Sequence, residues 1–400
     1  MNYKKLSVTF IFICLLTSAF SQSKKKMSRL IDDSFAYANE QYRYMMTQLP
    51  NGEEMPQRFN FTTGKIEAGS QGRTWWCSGF YPGSLVYIYE QTKDPVIWEE
   101  TQRALAYIEP NKHYTGNHDL GFMMYNSFGN AYRVAPQPSY KEAVFTAAES
   151  LAKRYIPTVK ATQSWGDYVK RKEVPVIIDN MLNLELLLWV TQEGGDPKYR
   201  EMAINHANTT LANHFRPDYS SYHVVAYDRE TGNVVKKHTH QGYSDDSAWA
   251  RGQAWGLYGY TMMYRFTKDE RYLDQANAIA NFILNHPNLP KDKVPYWDFD
   301  APDIPNTVRD ASAGALIASA LLELGQYVDK KNSKKYVRNA ADILQSLSSP
   351  AYRPEVGTTG GFLLLHSTGA FPLNSEIDVP LIYADYYYLE ALKRYKDWYL

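Results

Sequence analysis

The chain has 400 residues, and its 43 basic and 43 acidic side chains give a formal net charge of zero. A near-neutral chain without a basic stripe gives no support for nucleic-acid binding, and any anionic ligand must be met by local charges. Aromatic residues make up 14% of the chain, which suits a carbohydrate-binding surface, although large helical cores also use them.

Residues 1–21 are predicted to be a secretory signal peptide. Lys4 and Lys5 form its charged start, residues 6–16 its apolar stretch and residues 19–21 its small-residue cleavage site. The apolar stretch is too short for a transmembrane helix and no later segment qualifies, so we expect no membrane insertion. Cys14 lacks a small residue before it, which makes a lipoprotein the less favoured alternative. Export to a bacterial periplasm is the expectation.

A weak internal repeat organises residues 27–400, which we interpret as one catalytic domain. Aromatic-rich segments end at polar turns and are followed by Ala-rich helical segments. The turns are residues 91–95, 136–140, 192–199, 267–272 and 329–336. With an N-terminal helix near 27–49 and a C-terminal one near 381–398, they predict an all-α domain built as a closed ring of six helical hairpins. A short strand pair over 222–227 and 233–236 is predicted in one loop.

Asp179 lies in an almost wholly apolar run, residues 174–189. Burial disfavours a carboxylate, so its pKa would rise toward the value that a general acid needs. Alternatively Asp179 is the N-cap of the following helix, which would keep it ionised. Asp119, after His118, is a second candidate, and for that pair alone capping is the favoured interpretation. Two isolated acids are consistent with paired-carboxylate sugar chemistry.

Residues 240–260 combine two carboxylates, an arginine, two glutamines and two tryptophans with three glycines at helical spacing. Ser244 or Asp245 is predicted to cap a helix there. Gly252, Gly256 and Gly259 would each cost about 1 kcal/mol relative to Ala, so the helix is expected to approach another helix or a ligand closely. The segment is interpreted either as core or as a sugar site.

Other chemistries find little support. His238 and His240 could form a metal pair, but no third ligand has suitable spacing, and no phosphate loop or nucleophile elbow is present. Cys77, the one cysteine after the signal, follows two tryptophans and is interpreted as a packed apolar position rather than a nucleophile. We therefore expect no metal and no cofactor.

Five segments resemble glycoside hydrolase family 88, the unsaturated glucuronyl hydrolases. They are N-H-D-L-G-F (117–122), S-W-G-D (164–167), I-I-D-N-M-L-N-L (177–184), Q-G-Y-S-D-D-S-A-W-A-R-G-Q-A-W-G (241–256) and S-E-I-D-V-P-L-I-Y-A-D-Y-Y (375–387). The fourth is long and specific. The resemblance implies an (α/α)6 barrel that hydrates the C4=C5 enol ether of an unsaturated uronate left by a polysaccharide lyase.

The resemblance also implies the roles of individual residues. Asp179 resembles the general acid/base and Asp119 the second essential carboxylate. Residues implied to bind the substrate are His118, Trp165, His223, Gln241, Trp249, Arg251 and Trp255. Arg251 is the expected clamp on the uronate carboxylate, and residues 366–374 are expected to border the next sugar.

The expected partners are unsaturated uronyl oligosaccharides of glycosaminoglycan or ulvan type, and the oligomeric state is left open. An unsaturated rhamnogalacturonyl hydrolase on the same fold is the nearest alternative. An inverting glycosidase acting on saturated chains and a non-catalytic binder of acidic oligosaccharides are more distant ones. The motif at 241–256 favours family 88 over the first two, and the presence of both acids argues against the binder.

Overall fold

The computed structural model describes residues 3–49 and 54–400, with side chains described from residue 24 onwards. Most of the predicted signal peptide falls in the first helix, α1 (Tyr3–Gln48), before the side chains are described, so it stays a prediction. None of the described helices combines the length and the apolar character needed to cross a bilayer.

Twelve α-helices of the described chain alternate between an outer and an inner ring. The outer helices are α1, α3 (Pro95–Ile108), α5 (Pro138–Ala152), α7 (Lys198–Asn213), α9 (Glu270–Asn285) and α11 (Lys330–Leu347). The inner ones are α2 (Phe80–Thr92), α4 (Asn130–Val134) with the π-helix Gly121–Gly129 before it, α6 (Asn180–Gln192), α8 (Ala250–Thr267), α10 (Ala311–Leu324) and α12 (Ile382–Tyr399). Each inner element contacts the next, with the π-helix before α4 making the contact to α6, and α12 contacts α2, so the predicted (α/α)6 barrel is confirmed.

The amino-acid pattern explains which helices lie inside. Every residue of α10 is buried, as expected for a helix that is apolar all round. The outer helix α9 instead buries one stripe at a period near 3.6, the stripe that the sequence predicts. Its buried members include Leu273, Ala276, Ile279, Ala280 and Ile283.

One predicted helix start is wrong, and the predicted turns are longer than the observed ones. Helix α8 begins at Ala250, and neither Ser244 nor Asp245 caps it. Those residues belong to a folded loop in which Asp245 Oδ1 accepts from the Thr239 amide at 2.8 Å. The turn predicted over 329–336 ends at Asp329, because that side chain accepts from two amides of the next turn and α11 starts at Lys330.

A small three-stranded antiparallel sheet lies beside the barrel end. The predicted strand pair is confirmed as β6 (Val224–Asp228) and β7 (Val234–His238), and an unpredicted strand, β5 (Glu173–Ile177), pairs with β6. Two further hairpins, β1 (Pro56–Asn60) with β2 (Lys65–Ala68) and β3 (Tyr155–Ile156) with β4 (Ala161–Thr162), complete the strands of the described residues. Strand β5 leads directly to Asp179.

The glycines of α8 provide room for neighbouring side chains. A Cβ on Gly259 would lie 2.4 Å from Met181 Cβ of α6, and one on Gly252 would lie 2.7 Å from the Trp249 ring. One on Gly256 would lie 3.3 Å from the Phe215 ring. The predicted close approach is therefore confirmed, and it is made to other parts of the barrel.

Candidate active site

A cavity of about 460 Å³ opens at the end of the barrel beside the three-stranded sheet. It brings together side chains from loops that are far apart in the sequence. Six of the predicted site residues line it: His118, Asp119, Trp165, Asp179, Gln241 and Arg251. Residues Ala370 and Leu373 of the loop 366–374 also line it, in agreement with the expected position of that loop.

Asp179 lies between β5 and α6, with helical backbone angles (φ −59°, ψ −28°) and no side-chain capping bond. Asp179 therefore occupies the N-cap position of α6, but the interpretation that its side chain caps the helix and stays ionised is wrong. Its Oδ2 atom is buried and has no hydrogen-bond partner among the described residues. Burial raises the pKa of this carboxyl to about 7, against the opposing effects of Arg251, its own backbone amide and Trp255. A carboxyl in this state holds a proton near neutral pH.

Asp119 lies just before the π-helix and does not cap it. Its Oδ1 accepts a hydrogen bond from Asn183 Nδ2 at 3.1 Å. Burial, and next the charge of Asp179, raise the pKa of Asp119 to about 7, while hydrogen bonds from Asn183 and Asn117 act the other way. Two carboxyls in one cavity, each raised by burial, are suited to sharing one proton.

His118 is buried, and its Nε2 lies 3.2 Å from Asp119 Oδ1. Burial, helped by the nearby Arg154 charge, lowers the pKa of His118 well below its ordinary value. The imidazole is therefore neutral at physiological pH, and its contact with Asp119 is not an ion pair.

His223 is neutral for a similar reason, because burial lowers its pKa well below the ordinary value. Its Nδ1 accepts from the amides of His240 (3.2 Å) and Gln241 (3.1 Å). The ring proton must therefore be on Nε2, which lies 3.8 Å from Asp179 Oδ2. His223 thus presents a neutral donor to the acid.

Arg251 is bound on both terminal nitrogens by the protein itself. Nη1 donates to Asp310 Oδ2 at 2.7 Å and to the Thr368 carbonyl, and Nη2 donates to the Gly369 carbonyl at 2.6 Å. Gln241 Nε2 donates to the same Gly369 carbonyl at 3.0 Å. Arg251 therefore fixes the base of the loop 366–374, and its role as a clamp on substrate stays a prediction.

Of the three predicted tryptophans, one lines the cavity and two are buried behind its wall. Trp165 lines the cavity, with its ring centroid 5.1 Å from that of His240. Trp249 and Trp255 are 3% and 1% exposed and lie beneath the cavity wall, as does His223. Trp249 packs behind His223 at 4.5 Å, so its contribution is to hold that imidazole in place.

The sequence did not single out Glu376, Tyr383 and Asp310. Glu376 lines the cavity and accepts from Gln57 Nε2, and burial raises the pKa of its carboxyl. Tyr383 lines it beside the Arg251 guanidinium, 5.3 Å from the ring centroid. Asp310 caps α10 and pairs with Arg251. Glu376 and Tyr383 lie inside the motif at 375–387, whereas no local signal marks Asp310.

No cluster of three or more His, Cys, Asp or Glu side chains in the described chain is arranged to hold a metal ion. His240 instead faces the cavity beside Trp165. Cys77 is buried in the core, and burial raises the pKa of its thiol well above the ordinary value, which matches its interpretation as a packed position.

Residues 42–399 match the family model described as Glycosyl Hydrolase Family 88. An unsaturated glucuronyl hydrolase of Formosa agariphila is 48% identical over 320 residues, which cover 80% of this chain and 79% of that protein. An unsaturated chondroitin disaccharide hydrolase of Streptococcus pyogenes is 37% identical over 331 residues, with coverage of 81% and 82%. A solved unsaturated glucuronyl hydrolase specific for heparin superimposes with a TM-score of 0.87 at 45% identity, over 92% of this chain and 97% of that one. This chain is therefore a glycoside hydrolase, and it belongs to glycosyl hydrolase family 88.

Proposed function

We propose that Asp179 is the general acid/base, and Asp119 the second essential carboxylate, with which this unsaturated glucuronyl hydrolase hydrates the C4=C5 double bond of its substrate. The enzyme releases the 4,5-unsaturated uronic acid from the non-reducing end of lyase-generated oligosaccharides. The observation that supports these roles is the pair of largely buried carboxyls that line one cavity, each with its pKa raised to about 7.

In this reaction Asp179 transfers a proton twice, once to the double bond and once back from water. Protonated Asp179 gives its proton to C4, and positive charge develops at C5 and the ring oxygen. Water then adds to C5 and returns its proton to the Asp179 carboxylate. The hemiketal formed at C5 opens and expels the rest of the sugar. Ionised Asp119 stabilises the developing positive charge throughout.

The neighbouring groups suit an anionic substrate. His118 and His223 are neutral, so His223 can donate a hydrogen bond without adding positive charge that would favour ionisation of Asp179. Among the described residues that line the cavity, Arg251 is the single cation. Its charge supports binding of the uronate carboxylate at this wall.

Solved relatives support an oligosaccharide substrate. A Streptococcus agalactiae unsaturated glucuronyl hydrolase was solved as an Asp-to-Asn mutant with dGlcA-GalNAc6S bound, and as a second Asp-to-Asn mutant 60 positions away. Asp119 and Asp179 have the same separation in this chain. We propose glycosaminoglycan or ulvan-type fragments as the substrate class, ahead of rhamnogalacturonan fragments or simple binding.

Incubation with a panel of unsaturated disaccharides tests this function. Glucuronyl products should lose the ultraviolet absorbance of their conjugated double bond. Asp179→Asn should abolish that loss and still bind the disaccharide, whereas Asp196→Asn, at an exposed acid before α7, should keep full activity. Splitting of saturated disaccharides with the absorbance unchanged would contradict the hydration mechanism, and an active Asp179→Asn enzyme would remove Asp179 from the acid role.

We further propose that the enzyme is exported and works in a periplasm after removal of residues 1–21. The charged start and apolar stretch of that segment support export. The intact mass of the protein from a bacterial envelope fraction should correspond to a chain that begins at Gln22. A mass that includes a lipid on Cys14 would favour the lipoprotein alternative.

A further inference from the structure

We propose that Asn183 is a positioning residue that decides which of the two carboxyls holds the shared proton. It keeps Asp119 as the acceptor and leaves Asp179 as the acid. This inference rests on the roles proposed for Asp119 and Asp179, and it concerns a residue that forms no part of the cavity wall.

Asn183 bridges two inner elements of the barrel. It lies on α6, four residues after Asp179, and is 2% exposed. Its Oδ1 accepts from the Phe122 amide of the π-helix at 3.1 Å, and its Nδ2 donates to Asp119 Oδ1 at 3.1 Å. The helix that begins beside Asp179 therefore carries an amide that contacts both Asp119 and the backbone three residues after it.

The Phe122 contact fixes the orientation of the Asn183 amide. A backbone N–H can only donate, so the oxygen end of the amide must face Phe122 and the NH₂ end must face Asp119. An NH₂ group can only donate in turn, so Asp119 Oδ1 carries no proton, and the donated bond favours the ionised carboxylate. Asp179 Oδ2 has no hydrogen-bond partner among the described residues. The two acids are therefore unequal, and the ionised form is favoured at Asp119.

Close packing prevents the amide from turning away. A Cβ on Gly121 would lie 2.6 Å from Asn183 Cα and 2.8 Å from its Oδ1, so the backbone at the start of the π-helix lies against this side chain. π-Helical segments are often found at functional sites. Here the π-helix Gly121–Gly129 presents the Phe122 amide to the same side chain that contacts Asp119.

Several other groups face Asp119, but among those that favour its ionised form the Asn183 hydrogen bond has the largest effect. Asp179 raises the pKa of Asp119, while Arg154 lowers it together with the hydrogen bonds of Asn183 and Asn117. His118 is neutral because burial lowers its pKa. The Cys77 thiol is neutral because burial raises its pKa. Without the bond from Asn183, Asp119 would compete with Asp179 for the proton.

Asn183→Asp separates the two functions of this amide. An aspartate oxygen still accepts from the Phe122 amide, whereas its other oxygen cannot donate to Asp119 unless it takes up a proton. A hydrogen bond to a charged group is worth about one to two pH units of proton affinity. The acid limb of the pH profile of kcat/KM should therefore move upward by about one pH unit, with a loss of kcat/KM near pH 6 of about tenfold.

Asn111→Asp is the matched control, because Asn111 is equally buried and its Nδ2 donates to the Arg73 carbonyl rather than to an acid. It should leave the acid limb in place. If Asn183→Asp does not fold, the smaller Asn183→Ser, which cannot clash, should move the limb in the same direction. An unchanged acid limb in the folded variants would show a purely structural role. Activity in both Asp119→Asn and Asp179→Asn would instead overturn the proposed function itself.

Discussion

Asp179→Asn should abolish activity and at the same time stabilise the folded protein at alkaline pH. The pKa of Asp179 is raised from 3.8 to about 7 in the folded state, so the fold favours the protonated carboxyl. The cost of ionising it is absent below pH 3.8, grows as the pH rises and becomes constant above pH 7. At 1.36 kcal/mol per unit, that cost is about 4 kcal/mol at pH 8 and about 2 kcal/mol at pH 5.

An asparagine has no such cost, although its NH₂ group must find a partner, and that penalty does not change with pH. The difference in free energy of unfolding between the variant and the parent should therefore increase by roughly 2 to 3 kcal/mol from pH 5 to pH 8. Urea titrations at four pH values would measure it. The diagnostic quantity is the change with pH of this difference in the free energy of unfolding. It does not depend on how well the asparagine amide packs, because packing contributes the same amount at every pH.

Asp94→Asn provides a control, because the pKa of Asp94 is lowered by the fold whereas that of Asp179 is raised. The Arg43 hydrogen bond lowers the pKa of Asp94 from 3.8 to about 2, so the stability that this carboxylate contributes is fully present well above pH 3.8 and is lost as the pH falls from there through about 2. Its replacement should destabilise the protein by an amount that stays constant between pH 5 and pH 8. A constant difference for Asp179→Asn as well would refute a buried acid with a raised pKa at position 179.

Three further outcomes are expected. Because Asp179 must be protonated, kcat/KM of the parent enzyme should fall about tenfold per unit above pH 7, and a profile that stays flat to pH 9 would contradict this. Gly259→Ala places a Cβ 2.4 Å from Met181 Cβ and should lower the free energy of unfolding, measured by urea titration, by about 1–3 kcal/mol. Gly256→Ala places its Cβ 3.3 Å from the Phe215 ring and should lower that free energy by less. Arg251→Lys keeps the charge beside the buried Asp310 carboxylate but removes hydrogen-bond donors, and it should destabilise the fold by about 1–3 kcal/mol. An unchanged melting temperature would show that the lost bonds contribute little.

The sequence predicted the features that depend on local patterns. The alternation of polar turns and Ala-rich segments predicts the ring of hairpins, and the apolar run around Asp179 predicts a raised pKa as one of two interpretations, beside capping. The start of α8 was not predictable in this way. Its preceding loop is held by Asp298, which accepts from the Tyr243 amide and the Ser247 hydroxyl more than fifty residues earlier in the chain.

Local sequence patterns also do not show which residues the predicted site residues contact. The contact of Arg251 with Asp310 joins residues 59 positions apart, and that of Asn183 with Asp119 joins residues 64 apart. Each depends on which inner helices are neighbours in the closed ring. A motif can mark Arg251 as important without showing that the protein itself occupies both of its terminal nitrogens.

The attachment of the loop 366–374 to Arg251 and Gln241 has a consequence for the evolution of substrate range. Its base is held through the carbonyls of Thr368 and Gly369, and a carbonyl bond does not depend on which side chain the residue carries. The exposed tip at Phe371 and Leu373 is therefore free to change. Mutations at the tip can thus change the side chains that this loop presents at the cavity while the bonds that hold its base to Arg251 and Gln241 are inherited unchanged.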